Sequence, residues 1–154
     1  MIEHCTTIEQ PGWLTLRLAL WPHSSQQEHL AEMASFIAKP ERYVQFVAYS
    51  ESRLPVGLIE ASLRYDYVNG TETSPVAFLE GVYVVTELRR QGIAARLVAT
   101  VAEWAQSKGC AEFASDTLID NEVSQTVHQA LGFEETERVM FFRKVLDNTI
   151  VKSH

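Results

Sequence analysis

Apolar residues recur along this chain with two different periods, and each change of period marks a new element. Between Pro11 and Trp21 they fall at Trp13, Leu14, Leu16, Leu18, Leu20 and Trp21, an imperfect amphipathic helix. A second helix follows. Ser25 and Glu28 stand at capping-box spacing, and Leu30, Met33, Ala34 and Ile37 recur behind them on one face. From Tyr43 the period shortens. "YVQFVAY", Tyr43 to Tyr49, is rich in β-formers, and "VGLIEASLRYDYV", Val56 to Val68, alternates roughly as a hairpin partner does. "NGTETSP", Asn69 to Pro75, has the chemistry of a loop, and "VAFLEGVYVV", Val76 to Val85, that of another strand. Helical spacing returns from Gln91 to Lys108, with Ile93, Leu97, Val101 and Trp104 on one face and Gly109 as a stop. "AEFASD" is a short strand, and "NEVSQTVHQAL" is a helix ended by Gly132. "EETERVMFFRKVL", Glu134 to Leu146, reads as a final strand, and "DNTIVKSH" as a frayed tail.

Strand, helix and strand from Phe78 to Asp116 form a βαβ unit, whose strands should be parallel and joined by a right-handed crossover. The earlier strands have short links and should be antiparallel. The expected fold class is therefore α/β with an α+β character: a central mixed, mostly antiparallel sheet flanked by helices. No repeat or linker divides the chain, so one domain over residues 1–146 with a tail over 147–154 is expected.

Composition changes this picture little. The 154 residues are 46% hydrophobic, enough for an ordinary core. Lys plus Arg number 13 against 20 Asp plus Glu, a net charge of -7. That balance disfavours nucleic acid and suits a cationic partner, although mild acidity also serves solubility alone. Cys5 and Cys110 lie far apart with no ligand spacing around them, so no metal is expected. Nothing reads as a leader or a membrane span, and a cytoplasmic protein with free thiols follows as the expectation.

The stretch "RRQGIA", Arg89 to Ala94, sits where a strand gives way to a helix. A helix start offers unpaired N–H groups and partial positive charge, glycine permits close approach, and arginines add forked donors. Such a junction suits a pyrophosphate. It equally fits a plain helix start with two solvated arginines. Neither the Walker pattern nor G-x-G-x-x-G is present.

The spacing Arg89-x-x-Gly92-x-Ala94 resembles the acetyl-CoA pyrophosphate motif of the GNAT acetyltransferases. "NEVSQTVHQALGF" is similar to the later helix of that family, whose order is strand, two helices, three antiparallel strands, the βαβ core, a helix and a last strand. "LWP" (Leu20 to Pro22), "YDYVNGTETSPVAFLEGVYV", "EFASDT" and "VHQALGFEETERV" further resemble the aminoglycoside 6′-N-acetyltransferases over roughly Ile2 to Val145. The resemblance implies acetyl transfer from acetyl-CoA to the 6′-amine of an aminoglycoside by direct attack in a ternary complex, and with it antibiotic resistance. The alternatives are a GNAT enzyme acting on another polyamine or a protein amine, and a non-catalytic module binding acetyl-CoA or the drug.

The same resemblance assigns roles. Arg89, Arg90, Gln91, Gly92, Ile93 and Ala94 would cradle the pyrophosphate, Val82, Tyr83 and Val84 would offer backbone N–H groups to the thioester and pantetheine, and Asn121 would contact the coenzyme. Glu80 is also conspicuous without it, since a carboxylate in an apolar strand needs a partner unless it faces water at an edge. It would line the acceptor site and take the amine proton. Asp116 ends a parallel strand, where ligands gather, though Asp also serves as a cap. Glu137 matches a third acidic position, against a reading as a solvated strand face. Trp21 and Tyr67 match acceptor-site aromatics; core packing and an ordinary sheet position are their plainer roles. His128 stands where many GNAT enzymes carry a tyrosine that protonates the leaving thiolate, and either that task or a structural one fits it. The family also commonly pairs through its C-terminal strands, and "VMFFRKV" suits such a homodimer or the monomer's own core.

Overall fold

The computed structural model describes residues 1–147. Five strands form one sheet in the order β1–β2–β3–β4–β5. They are β1 (Ile2–His4), β2 (Tyr43–Tyr49), β3 (Pro55–Arg64), β4 (Val76–Val84) and β5 (Phe113–Ala114). The first four are antiparallel neighbours; β4 and β5 are parallel. Helices α1 (Trp13–Leu20) and α2 (Gln26–Ile37) precede β2, α3 (Ile93–Ser107) crosses from β4 to β5, and α4 (Glu122–Ala130) follows. The expected mixed sheet with its βαβ unit is present.

The sheet is covered on two faces because its strands alternate. Val47 and Leu58 pack with Trp13, Leu16 and Met33 of α1 and α2. Val44, Ile59, Ala61 and Leu79 pack with Ile93, Leu97 and Val101 of α3. The face of α3 expected from its spacing is thus the buried one, with Trp104 partly buried at its margin. At α2 the capping box forms as its sequence implies: Ser25 Oγ accepts from the Glu28 N–H at 3.1 Å, and Glu28 Oε1 accepts from the Ser25 N–H at 2.8 Å.

Three expectations need correction. β3 stops at Arg64 rather than Val68. The following backbone closes on itself, with Ser74 Oγ donating to the Tyr65 carbonyl at 2.9 Å and the Thr71 N–H to that of Val68 at 3.1 Å, so these groups leave the ladder. Tyr67 is therefore an exposed loop residue, not a sheet residue. The strand expected over Ala111–Asp116 shrinks to two residues, because β5 meets β4 only at Ala77–Phe113 and Phe78–Ala114. No strand forms from Glu134 to Leu146. Strand propensity is not enough without an edge to pair with, and here Met140, Phe141, Phe142 and Leu146 stand exposed.

Candidate active site

The short β4–β5 pairing creates the site. Past Phe78 the two strands share no further rung, so β4 carries residues 79–84 onward beside an opening. A cavity of about 360 Å³ lies there, walled by Val82 and Val84 of β4, the turn at Leu88–Gly92, the start of α3 and, from α4, Val127, Ala130 and Leu131. Of the expected coenzyme residues, Val82, Val84, Arg89, Arg90, Gly92, Ile93 and Ala94 line it. Tyr83 points to the other face, toward the cluster of Trp13 and Leu58. Asn121 sits outside the lining and caps α4, its Oδ1 accepting from the Ser124 N–H at 3.0 Å. Gln91 is exposed and also outside the lining.

The floor of this cavity is the N-terminus of α3. Gly92 is its cap residue, with φ 82° and no side-chain hydrogen bond, so the first-turn N–H groups face the opening without a capping oxygen. Arg90 also has a positive φ, 65°, a turn that L side chains seldom adopt. Arg89 is exposed yet anchored: its Nε donates to the Val84 carbonyl at 2.9 Å and its guanidinium lies 5.5 Å from the Tyr83 ring. It braces the turn that presents the helix start.

Glu80 occupies a β-bulge. Glu60 of β3 pairs with Gly81 and Ala61 with Leu79, which leaves Glu80 unmatched. The bulge turns its carboxylate outward, where it accepts from Ser62 Oγ at 2.6 Å and from Arg64 Nη2 at 3.2 Å. It is thus both partnered and accessible, being 36% exposed. Next to it, Gly81 lets the Trp21 ring lie on the strand: a Cβ there would come within 2.5 Å of Trp21 Cζ2. Trp21 and Glu80 are neighbours for that reason.

The other acceptor candidates arrive on loops. Asp116 is exposed just beyond β5. Glu137 packs near Gly70, so the C-terminal segment leans on the loop carrying Tyr67. That loop is pinned by Glu112, whose carboxylate accepts from the N–H groups of Glu72 and Thr73, at 2.9 and 2.8 Å, and from the Thr73 hydroxyl. The Thr73 hydroxyl, with the two N–H groups, holds the Glu112 carboxyl below its usual range. No three acidic, histidine or cysteine side chains cluster as a metal site among the described residues.

His128 belongs to a small polar chain. Its Nδ1 lies 2.7 Å from the Ser124 carbonyl, which can only accept, so that nitrogen carries a proton. Nε2 lies 2.7 Å from Ser115 Oγ at the end of β5. Ser115, Ser62, Arg64 and Glu112 escaped the sequence reading. Each is an ordinary polar residue until the sheet places it beside its partner.

Comparison with known proteins decides the affiliation. The acetyltransferase (GNAT) family model matches residues 7–133. The aminoglycoside N(6')-acetyltransferase type 1 of Serratia marcescens is 53% identical over 95% of this chain and 99% of its own. The chain belongs to the GNAT acetyltransferase family, among the aminoglycoside N(6')-acetyltransferases of type 1.

Solved GNAT structures superpose closely. The aminoglycoside 6'-N-acetyltransferase AAC(6')-Ih from Acinetobacter baumannii is 47% identical, covering 96% of this chain and 99% of its own, with a TM-score of 0.89. AAC(6')-Iy, solved with the bisubstrate analogue CoA-S-monomethyl-acetylneamine, is 43% identical over 95% of this chain and 99% of its own, at a TM-score of 0.84. The GNAT resemblance, the fold and the βαβ junction expected from the sequence are those of this family.

Proposed function

We propose that this chain transfers the acetyl group of acetyl-CoA to the 6′-amine of an aminoglycoside, by direct attack in a ternary complex. The observation that carries the reading is the opening where β4 leaves β5 above the uncapped start of α3, with Glu80 on that strand and the Trp21 ring laid against Gly81 beside it. A phosphate-bearing, elongated ligand suits that opening. The α3 N–H groups and Arg90 would hold the pyrophosphate, with Gln91, Gly92, Ile93 and Ala94 approaching through their backbone. Arg89 would act by bracing the turn. Val82, Tyr83 and Val84 would pair with pantetheine along the open edge of β4 and polarise the thioester carbonyl. Asn121 would meet the coenzyme from α4.

The acceptor carries several ammonium groups, and Glu80, Asp116 and Glu137 present carboxylates to it. Trp21 and Tyr67 offer aromatic faces to sugar rings. Glu80 takes the proton that the 6′-ammonium loses, directly or through water. The amine nitrogen then bonds to the carbonyl carbon, the carbon–sulfur bond breaks, and the thiolate leaves. His128, when both ring nitrogens carry a proton, would pass the Nε2 proton through Ser115 to the leaving sulfur. The role would be antibiotic resistance, and acetyl-CoA dependence with two buried free thiols supports a cytoplasmic setting.

We also propose a homodimer that covers the exposed Met140, Phe141, Phe142 and Leu146. Exposed apolar residues in one unpaired segment are what a shared strand would bury. Sedimentation at micromolar protein should give twice the chain mass, and Phe141→Asp with Phe142→Asp should give a monomer; a monomeric parent overturns this.

The function is tested by thiol release from acetyl-CoA, comparing an aminoglycoside with a 6′-amine and its analogue with a 6′-hydroxyl. Release with the first alone is expected. Release with neither overturns the reading and leaves another amine substrate or a binding role.

A further inference from the structure

The chain buries a charged cluster that the acetyl transfer does not consume. Arg17 of α1 is 2% exposed, Glu60 of β3 3% and His29 of α2 0%. Arg17 Nη1 donates to Glu60 Oε1, and Arg17 Nη2 to Glu32 Oε1 at 2.8 Å. Trp13 Nε1 donates to the second Glu60 oxygen at 2.8 Å. A buried ion pair often contributes no more stability than apolar residues of like volume, because desolvating both charges offsets their attraction. Its geometry is therefore more informative than its existence.

That geometry converges on Trp21. Arg17 Nε–H donates to His29 Nδ1 at 3.1 Å, which makes Nδ1 an acceptor and leaves the ring proton on Nε2. Nε2–H in turn donates to the Trp21 carbonyl at 3.0 Å. The Trp21 N–H donates to the Arg17 carbonyl at 2.8 Å. Both backbone groups of Trp21 are thus held by the same pair of residues. The Arg17 guanidinium lies 4.8 Å from the Trp21 ring, and Gly81 receives the ring's far edge. Gly81 is itself the cross-strand partner of Glu60. Cation, ring and strand form one stack beside Glu80.

We propose that Arg17 and His29 are positioning residues that hold Trp21 in place for the aminoglycoside, so that acceptor affinity is set from the buried side of α1. The inference rests on the acceptor-site reading of Trp21. It extends the site inward to residues that touch neither substrate.

Two substitutions separate the two bonds of the imidazole. His29→Asn keeps an oxygen near the Nδ1 position for Arg17 and gives up the bond to Trp21. His29→Gln carries an amide N–H to the Nε2 position, keeps the bond to Trp21 and gives up that to Arg17. The whole chain is used, and KM for aminoglycoside, KM for acetyl-CoA, kcat and Tm are measured. His29→Asn should raise the aminoglycoside KM by about tenfold, the scale of one lost buried hydrogen bond, with the acetyl-CoA KM within about twofold of the parent. His29→Gln should restore the aminoglycoside KM to within about threefold although its Tm falls as far.

An unchanged aminoglycoside KM in His29→Asn, or equal rises in both KM values in both variants, overturns the proposal in favour of a structural role. Trp21→Ala isolates the premise. If it leaves the aminoglycoside KM unaltered, the acceptor reading of Trp21 fails; if it raises that KM while His29→Asn does not, only the positioning role fails. Should His29→Asn not fold, Arg17→Lys, which retains the charge but not the fork, is judged by the same split between the two KM values.

Discussion

Glu80 and Gly81 are adjacent residues with different reasons to be what they are. Glu80 needs a carboxylate facing outward from a bulge, with Ser62 and Arg64 fixing its orientation. Glu80→Gln keeps the shape and removes the proposed base. It should lower kcat by about 10²-fold or more, the usual worth of a positioned general base, while acetyl-CoA binding by calorimetry stays as in the parent. Gly81 needs the absence of a side chain. Gly81→Ala drives a methyl to within 2.5 Å of Trp21 Cζ2, so the ring must lift. Overpacking of this kind costs about 1–3 kcal/mol, and a thermal melt should register it together with a raised aminoglycoside KM. The charge of Glu80 stood out in the sequence because its neighbours are apolar. Its partners did not, since Ser62 and Arg64 reach it only across the β3–β4 ladder.

Helices and strands differ in how far their sequences foretold them. The helices carry local signals. At α2 the capping box satisfies two otherwise orphaned N–H groups. Ser25→Ala should therefore lower the unfolding free energy by about 1 kcal/mol in a urea titration, with no change in either KM. Strands depend on partners. β5 is two residues long because β4 turns away from it, and that divergence is what opens the cavity. The run from Glu134 to Leu146 has strand composition, yet finds no edge. β1 has the converse history: three residues carry no readable period, but the Ile2–Ala48 and His4–Phe46 pairings make them a strand.

Acid should loosen the whole molecule through its surface carboxylates. Three of them titrate below their ordinary 4.5 in the folded chain: Glu3 through the Arg53 guanidinium, Glu28 through the Ser25 backbone and hydroxyl, and Glu112 through the Thr73 hydroxyl. The unfolded chain lacks these partners and binds protons more readily. The stabilisation is therefore complete above about pH 4.5 and is lost as pH falls through the lower folded values. The loss of these three contributions should lower Tm below that pH, and Glu112→Gln should soften the decline; an equally steep decline in Glu112→Gln would contradict this. Burial pushes the Cys5 thiol far up, so a thiol reagent used to follow coenzyme A release should find Cys5 silent until the chain unfolds.

Local chemistry in the chain was enough to place the helices, the βαβ crossover, the glycine turn before α3 and one conspicuous carboxylate. These depend on periodicity, capping and turn residues within a few positions of one another. The fold decided the rest. It brought Arg17, His29 and Glu60 from three separate elements into one buried cluster around Trp21, with Glu32 at its exposed margin. It joined Ser115 to His128 across the gap between β5 and α4, and it left the C-terminal apolar residues uncovered. The physical reason is the same each time. A hydrogen bond or a strand pairing between residues distant in sequence has no local signature, because each group meets its partner only when the sheet closes, and the pairing then offsets the cost of taking both from water.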